Sequence, residues 1–343
     1  MRYRLLGPTG LKVSELCLGT MTFGTDWGWG ADEDECGRIV AAFAEAGGNF
    51  VDTANNYTDG SSESIVGALT ASDRDRWVIA TKYTLTVDRA DPNAGGNHRK
   101  SLVRSLEQSL RRLRTDYVDL LWLHMRDATT PIDEFVRALD DQVALGKVLY
   151  VGISDSPAWV AARANAIAAL RGWSPFVAVQ VPYSVASRDP ERELLPMAAE
   201  LGLTVTAWGA LGAGVLTGRD PQSLRWPGEP SERTRLIVAA LEEIAAARRA
   251  TPAQVAISWL LTRNGGPPVV PILGVRRLEQ LQENLGAPAI HLSEEERAAL
   301  DDVSAPSLGF PRAFLESDDV RELIYGDTWS QLALASEAPL REG

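Results

Sequence analysis

The sequence is poor in the residues that build disulfide frameworks and metal sites. Its 343 residues include only two cysteines, Cys17 and Cys36, and three histidines that lie far apart. Two thiols outside any CxxC motif do not indicate a disulfide framework. The sequence also lacks HExxH and any Cys/His cluster, which argues against a structural zinc. We therefore expect no metal site.

The sequence also lacks an excess of positive charge and a long hydrophobic run. Lysine and arginine number 34 against 46 acidic residues, so the formal net charge is −12 at pH 7. An acidic surface repels phosphate backbones, which argues against nucleic acid and anionic membranes as partners. No apolar segment approaches the ~20 residues of a membrane span, and the N-terminus has no signal-peptide core. The sequence predicts a soluble cytoplasmic protein, and a local basic pocket could still hold a small anionic cofactor.

Short apolar runs alternate with amphipathic segments along most of the chain. Runs without internal alternation are typical of parallel strands that are buried on both faces. Eight strand–helix repeats predict a (β/α)8 barrel. We expect one domain over residues 1–343, with the barrel core at about 14–290 and a C-terminal tail at about 304–343. The eight predicted strands are 16–18, 50–51, 77–80, 118–123, 148–153, 176–181, 203–207 and 269–273.

Other local signals complete this prediction. Residues 3–6 and 11–13 flank the turn sequence GPTG and predict a hairpin that closes the bottom of the barrel. Thr130 and Pro131 predict a helix with a cap followed by proline at the first helical position. A long loop rich in Gly and Pro, around residues 209–230, and an extra helix are expected before the eighth strand. A doubly wound sheet is the alternative fold, but it usually has GxGxxG after its first strand, where this chain reads GTMTFG.

Ionisable side chains end three successive predicted strands, at Asp52, Lys82 and His124, and Tyr57 follows in the loop after Asp52. Catalytic side chains of barrels sit at these strand ends. Each residue alone has a structural alternative: turn capping for Asp52, a surface position for Lys82 and a hydrogen-bonded structural role for His124. Because neighbouring strands open into one mouth, the set favours a site in which a buried Lys82 is paired with Asp52.

Tyr57 is the candidate acid–base residue of this site. Tyrosine titrates near ~10 in water, which is high for proton transfer at neutral pH. A nearby ammonium favours the phenolate, so Lys82 is expected to lower the pKa of Tyr57. A carbonyl group held by Tyr57 and His124 could then accept a hydride at carbon and a proton at oxygen.

The sequence resembles the aldo-keto reductases, in the branch that is similar to aryl-alcohol dehydrogenases and potassium-channel β subunits. The resemblance implies an NAD(P)H-dependent oxidoreductase that reduces an aldehyde or ketone to an alcohol. The family's catalytic Asp-Tyr-Lys-His tetrad corresponds to Asp52, Tyr57, Lys82 and His124. The motifs that carry the resemblance are GTMTFG (19–24), NFVDTANNY (49–57), ATKY (80–83), LRTDYVDLLWLH (113–124), GKVLYVGIS (146–154), VQVPYS (179–184) and LEQLQENL (278–285).

The resemblance also implies a nicotinamide cofactor bound across the barrel mouth. Ser154 and Asp155 match a Ser-Asn pair that holds the carboxamide in the family, although Asp155 departs from Asn and loses an amide donor. Gln180 matches a third carboxamide contact. Trp208 stands where the family has an aromatic residue, usually Tyr, that stacks on the nicotinamide, and core packing is its structural alternative.

The phosphates of the cofactor are expected on the loops after the seventh and eighth strands, where barrels bind phosphate. In the first loop, small residues let backbone N–H groups approach a pyrophosphate at Gly209, Ala210, Leu211 and Gly212. Arginines near a helix N-terminus, after the eighth strand, suit the 2′-phosphate of NADP, with two solvated surface arginines as the alternative. NADPH is therefore the expected cofactor and NAD the alternative. The residues expected to contact the cofactor there are Gly274, Arg276, Arg277, Gln280, Glu283 and Asn284. Gln280 stands where many members of the family have an arginine.

The substrate side of the mouth carries weaker signals. Trp27 and Trp29 suit an apolar or ring-shaped substrate, with anchoring of the loop on the rim as the alternative. His98 is expected near the start of a helix, with a substrate contact as the alternative. The expected partner is a small-molecule carbonyl compound, and assembly into a homo-oligomer stays open. Alternative functions are an NADPH-binding regulatory or redox-sensing subunit with slow turnover, a reductase dedicated to a ketosugar or natural-product ketone, and a Schiff-base aldolase that uses Lys82.

Overall fold

Eight parallel strands close into a barrel, in which each strand pairs with the next one along the chain and the last pairs with the first. The computed structural model describes residues 1–219, 229–263 and 265–331. Each predicted run overlaps one strand, so the predicted (β/α)8 barrel is confirmed. The strands are β3 (Cys17–Gly19), β4 (Phe50–Asp52), β5 (Val78–Tyr83), β6 (Val118–Leu123), β7 (Val148–Ser154), β8 (Phe176–Pro182), β9 (Thr204–Trp208) and β10 (Val269–Gly274).

Helices cover the outside of the barrel and bury their apolar faces against the strands. They are α1 (Glu33–Glu45), α2 (Ser61–Thr70), α3 (Arg99–Leu113), α4 (Ile132–Ala144), α5 (Ala158–Arg171), α6 (Leu194–Glu200), α7 (Glu232–Arg248), α8 (Pro252–Leu261), α9 (Leu278–Leu285) and α10 (Glu294–Val303). Because α7 and α8 both lie between β9 and β10, the extra helix expected there is present. Residues 220–228 of the predicted long loop lie outside the described residues.

The start of α4 differs by one residue from the prediction. Pro131 has extended backbone angles (φ −59°, ψ 144°) and stands at the N-cap, so Ile132 is the first helical residue. The fixed φ of proline is compatible with both positions, and here ψ decides between them. Thr130 does not cap the helix, because its hydroxyl donates to the Asp127 carboxylate at 2.8 Å.

A two-stranded antiparallel hairpin covers the N-terminal end of the barrel, as the sequence predicts. It consists of β1 (Tyr3–Leu5) and β2 (Lys12–Ser14). The backbone N–H of Gly7 donates to Thr204 Oγ1 at 2.7 Å, at the start of β9. A Cβ at Gly7 would lie 2.0 Å from the Val177 carbonyl oxygen, so a side chain there would lift the hairpin from the barrel.

The chain after α10 adds two short helices, α11 (Arg312–Leu315) and α12 (Asp318–Tyr325), and no ninth repeat within the described residues. Arg312 donates to the carbonyl oxygen of Glu191, which follows β8, so this segment contacts the rim at the C-terminal ends of the strands. Residues 332–343 of the expected tail lie outside the described ranges. Among the described helices none is long and apolar enough to cross a membrane.

Candidate active site

The barrel brings Asp52, Tyr57, Lys82 and His124 together at the C-terminal ends of β4, β5 and β6. Asp52 is the last residue of β4, Lys82 lies near the end of β5, and His124 follows β6 directly. Tyr57 begins a short 3₁₀ turn, Tyr57–Gly60, in the loop after β4. The Tyr57 and His124 rings meet edge to face, with centroids 6.2 Å apart and an interplanar angle of 83°. The four residues therefore form one cluster at the mouth.

The Lys82 ammonium group organises the cluster. Its side chain is fully buried, and its Nζ forms an ion pair with Asp52 Oδ2. Nζ also donates to the Thr53 carbonyl oxygen at 2.8 Å and to Tyr57 Oη at 3.0 Å, so all three ammonium protons have acceptors. Burial lowers the pKa of Lys82, but the Asp52 carboxylate and the Tyr57 hydroxyl outweigh it and raise this pKa above its ordinary value. Lys82 is therefore a cation at neutral pH.

Two neutral donors orient the Asp52 carboxylate. Its Oδ1 accepts from Trp122 Nε1 at 3.0 Å and from Gln180 Nε2 at 2.9 Å, while Oδ2 faces Lys82. Gln180 was expected to contact a nicotinamide carboxamide, and its amide nitrogen is engaged with Asp52. Its carbonyl oxygen and its second amide N–H are the groups left for such a contact.

Trp122 is a site residue that motif matching missed. It lies two positions before His124, and Lys82 is its register partner on β5, so the period of two along a strand would have placed it beside the tetrad. Gly152 makes room for its ring: a Cβ at Gly152 would lie 2.4 Å from Trp122 Cε3 and Cζ3. The position of the Trp122 indole therefore depends on a glycine in the neighbouring strand.

The pKa of Tyr57 differs from the sequence expectation. Burial raises it, the Lys82 ammonium lowers it, and the Asp52 carboxylate raises it again. The net result is a pKa above the ordinary value, although Lys82 was expected to lower it. Lys82 acts in the expected direction, but burial is the larger effect. Tyr57 is a protonated phenol at neutral pH and can act as a proton donor.

Thr58, the residue after Tyr57, fixes the turn that carries Tyr57. Thr58 and Asp59 both have positive φ, at 44° and 54°, which residues other than Gly adopt infrequently. The buried Thr58 hydroxyl donates to the Phe23 carbonyl oxygen at 2.6 Å, in the loop after β3. It also accepts from the Ser62 backbone at 3.0 Å, so one side chain ties Tyr57 to two neighbouring segments.

An ion pair supports the same loop from behind. Arg112 of α3 contacts the fully buried Glu63 carboxylate of α2 at 2.6 Å and donates to the Asn55 carbonyl oxygen at 3.4 Å. The Glu63 carboxylate also accepts from the hydroxyl of Thr81, the residue before Lys82. The loop that carries Tyr57 and the strand that carries Lys82 thus share a support.

His124 is neutral near pH 7. Burial, and secondarily the Lys82 ammonium, lower the pKa of His124 to about 3. Its Nδ1 is buried and has no hydrogen-bond partner in the described part of the chain. A neutral imidazole carries one N–H, which can be donated to a ligand oxygen without adding a positive charge to the site.

Ser154 ends β7 and Asp155 follows it, next to the tetrad strand β6. Trp208 ends β9, across the mouth from the tetrad strands. The Ser154 hydroxyl is buried and makes no well-formed hydrogen bond among the described residues. Asp155 Oδ1 accepts from Trp208 Nε1 at 3.1 Å, and 42% of Trp208 is exposed. Core packing therefore does not explain Trp208, because its ring faces the open mouth.

The loop after β9 is a tight turn at the positions predicted for a pyrophosphate. Gly209 and Gly212 have φ of 66° and 55°, and the Gly212 N–H donates to the Gly209 carbonyl oxygen at 2.8 Å. A Cβ on Gly209 would meet nothing within 4 Å, so the backbone is open on that side. Ala210 is buried and Leu211 is partly exposed.

The loop after β10 presents two arginines without partners. Gly274 ends β10, and Arg276 and Arg277 follow, with neither guanidinium in an ion pair or hydrogen bond among the described residues. Gln280 Oε1 accepts from the Arg276 backbone N–H at 2.9 Å, so this side chain shapes the turn. The Glu35 carboxylate accepts a hydrogen bond from the backbone N–H of Leu278 at 2.6 Å, so one of the N–H groups at the start of α9 already has a partner.

Glu283 and Asn284 lie on α9, beside this loop. Asn284 is buried, and Glu283 is paired with Arg219 at 3.5 Å. Arg219 follows the 3₁₀ segment Gly212–Thr217 after β9, so the pair links the segment after β9 to α9. Arg219 is a further cation of this region that the motifs did not indicate.

The two tryptophans of the first loop form one aromatic surface. The Trp27 and Trp29 rings are 5.6 Å apart at 52°, and Trp27 Nε1 donates to Asp59 Oδ1 at 3.2 Å. Trp27 therefore lies beside the turn that carries Tyr57, and both tryptophans are partly exposed. His98 is the N-cap of α3, where its Nδ1 accepts from the Ser101 N–H at 3.2 Å. A substrate contact of His98 stays a prediction.

The cluster can hold a carbonyl oxygen and give it a proton, because a protonated phenol and a neutral imidazole face the same mouth. The buried cation beside the phenol can stabilise the phenolate that proton donation leaves. Within the described residues, no group of three or more His, Cys, Asp or Glu side chains could hold a metal ion.

Comparison with known proteins gives a match to the aldo/keto reductase family over residues 15–305. The chain is 41% identical to a norsolorinic acid reductase of Emericella nidulans over 327 residues, covering 91% of this chain and 84% of that protein. It is 37% identical over 341 residues to an NADP(+) aryl-alcohol dehydrogenase of Phanerodontia chrysosporium, with coverages of 90% and 88%. It is 36% identical over 328 residues to an aryl-alcohol dehydrogenase of Pestalotiopsis microspora, with coverages of 92% and 85%.

Proposed function

Because the chain belongs to the aldo/keto reductase family and is an oxidoreductase, we propose that it reduces an aldehyde or ketone to an alcohol with NADPH as hydride donor and Tyr57 as proton donor. The observation that carries this proposal is the contact between Lys82 Nζ and Tyr57 Oη at 3.0 Å, with Lys82 also paired to Asp52. An ammonium in contact with a phenol lowers the free energy of the phenolate product. The arrangement therefore suits proton donation.

The residues at the mouth fit a nicotinamide nucleotide. The buried Ser154 hydroxyl and the carbonyl oxygen of Gln180 are polar groups that a carboxamide can engage, and the exposed ring of Trp208 offers a flat face. The unpaired Arg276 and Arg277 offer charge for a 2′-phosphate. The cofactor, when bound, supplies the hydride for the carbonyl carbon.

The side chains of the tetrad have separate parts in the proposed reaction. Tyr57 Oη and the His124 N–H hold the carbonyl oxygen, which polarises the carbon toward hydride attack. Tyr57 transfers its proton to that oxygen as negative charge develops there. Lys82 stabilises the phenolate until it is protonated again from solvent, and Asp52 keeps Lys82 in place.

An aromatic carbonyl compound is the substrate class we propose. The names of the relatives refer to norsolorinic acid and to aryl alcohols, and the partly exposed surface of Trp27 and Trp29 suits a ring. The link between Trp27 and Asp59, which neighbours Thr58 and Tyr57, sets this surface beside the proton donor.

The proposal is tested with purified protein, NADPH and 4-nitrobenzaldehyde, followed by the loss of NADPH absorbance. Tyr57→Phe removes the proton donor and keeps the ring, so kcat should fall about 10²–10⁴-fold. NADPH affinity should change little, because the hydroxyl contacts Lys82 rather than a cofactor-binding loop. Normal turnover by Tyr57→Phe would contradict the role of Tyr57. Oxidation of NADPH that stays very slow across a panel of aldehydes and ketones would instead favour a regulatory subunit.

A further inference from the structure

Asp155 places an unusual negative charge at the barrel mouth. It follows β7 directly, with a φ of 36°, a left-handed conformation that Asp and Asn tolerate better than most residues. Its carboxylate makes no ion pair among the described residues, and its Oδ1 accepts from Trp208 Nε1 at 3.1 Å. The indole hydrogen bond fixes the position of the carboxylate without supplying a positive charge.

The charge of Asp155 acts on Tyr57 and Lys82. Burial raises the pKa of Asp155 above its ordinary value, although the Trp208 hydrogen bond and the Lys82 ammonium oppose part of that rise. The Asp155 carboxylate in turn contributes to the raised pKa of Tyr57. Lys82 does not neutralise Asp155 by contact, since its three protons are used by Asp52, Thr53 and Tyr57. Asp52, Lys82 and Asp155 together therefore place two negative charges and one positive charge at the mouth.

Hydride transfer has to take place beside these charges. The donor carbon must lie about 3–3.5 Å from the carbonyl carbon, whose oxygen must reach Tyr57 Oη. A nicotinamide ring in that position is neutral in the reduced cofactor and carries a positive charge in the oxidised cofactor. A fixed carboxylate stabilises the cation and has little effect on the neutral ring.

We propose that Asp155 makes this site discriminate between the redox forms of its cofactor by binding NADP+ more tightly than its neutral counterpart Asn would. The inference rests on the proposed function, because it requires a nicotinamide nucleotide. In the reduction, the hydride leaves the cofactor with its electron pair and bonds to the carbonyl carbon, and the Tyr57 proton bonds to the oxygen. Asp155 stabilises the positive charge that this transfer leaves behind.

Asp155→Asn isolates the charge. Asn tolerates the left-handed backbone, and its Oδ1 can still accept from the Trp208 indole. We expect the Kd for NADP+ to rise about tenfold while the Kd for NADPH changes by less than about twofold. Both values are measured by titration of tryptophan fluorescence without substrate, so no turnover is required. A second variant, Trp208→Phe, keeps the charge and an aromatic ring, and should keep the ratio of the two Kd values near that of the wild type.

Asp59→Asn is a matched control. Asp59 also has positive φ, at 54°, and its Oδ1 also accepts from an indole, that of Trp27 at 3.2 Å. It lies on the loop after β4, and the ratio of the two Kd values should stay at the wild-type value. The inference is overturned if Asp155→Asn leaves that ratio unchanged, or if Asp59→Asn shifts it equally. Wild-type protein that binds neither redox form would instead refute the proposed function, and the inference with it.

Discussion

The indole nitrogen of Trp122 donates to the Asp52 carboxylate at 3.0 Å, on the oxygen opposite the one that faces Lys82. A buried carboxylate is most stable when each of its oxygens has a donor. Trp122 and Gln180 satisfy Oδ1, which leaves Oδ2 to the ammonium. The direction of the Asp52–Lys82 pair, and through it the contact with Tyr57, is therefore set by neighbours outside the tetrad.

Gly152→Ala should disturb the tetrad without touching it. The added Cβ would lie 2.4 Å from two carbons of the Trp122 ring, so the indole must move away from Asp52. Overpacking of this kind costs about 1–3 kcal/mol of unfolding free energy. We expect that loss in urea denaturation, together with a lower kcat. Gly10→Ala is the control, because a Cβ there meets nothing within 4 Å. Wild-type activity of Gly152→Ala would show that the Trp122 position is unimportant.

The raised pKa of Tyr57 predicts the pH dependence of reduction. Proton donation requires the phenol, which stays protonated until the pH exceeds its pKa. Since that pKa lies above the ordinary ~10, kcat should be level from neutral pH to about pH 10 and fall above it. Because the pKa of His124 is about 3, its titration should not change kcat between neutral pH and pH 5. The measurement is kcat at saturating cofactor and substrate. A fall in kcat that begins below pH 8 would contradict Tyr57 as the proton donor with a raised pKa.

Lys82→Met should destabilise the fold as well as remove activity. The variant leaves the buried Asp52 carboxylate with Trp122 and Gln180 as donors but without a cation. Removing one partner of a buried ion pair costs about 3–5 kcal/mol. Urea denaturation measures this loss. The double variant Asp52→Asn, Lys82→Met removes both charges and should recover part of the stability but none of the activity. A double variant less stable than Lys82→Met would contradict the proposed charge imbalance.

The sequence predicts the barrel well because its strands are buried on both faces. Uninterrupted apolar runs are a strong signal, and they identified the eight strands to within a few residues. Strand ends also located Asp52, Lys82 and His124, since neighbouring parallel strands must open at one edge. The start of α4 was predicted one residue too early, because proline suits both the N-cap and the first turn, and only ψ distinguishes them.

The net pKa of Tyr57 could not be predicted from residue types. The contact with Lys82 was foreseeable, but the extent of burial depends on how the loop after β4 packs, through Thr58 and the Glu63–Arg112 pair. The bonds of Gln180 and Asp155 depend on packing in the same way, since each donor or acceptor comes from a distant strand. Such contacts between distant strands leave no local pattern in the sequence.

Arg276 and Arg277 should decide between NADPH and NADH. Both lie after β10 without partners among the described residues, and hydrogen bonds to charged groups contribute about 1.5–3 kcal/mol each. The double variant Arg276→Ala, Arg277→Ala should raise the Kd for NADPH about 10- to 100-fold and leave that for NADH within about twofold.

The same titration supplies the controls. Raising the salt concentration should weaken NADPH binding to the wild type more than to the double variant, because ions screen exposed charges. Arg89→Ala removes another exposed arginine, on the loop after β5, and should change neither Kd. Equal losses of NADPH and NADH affinity in the double variant would mean that the arginines shape the loop after β10. An unchanged NADPH affinity would place the 2′-phosphate elsewhere, with Arg219, which now pairs with Glu283, as the next cation to replace.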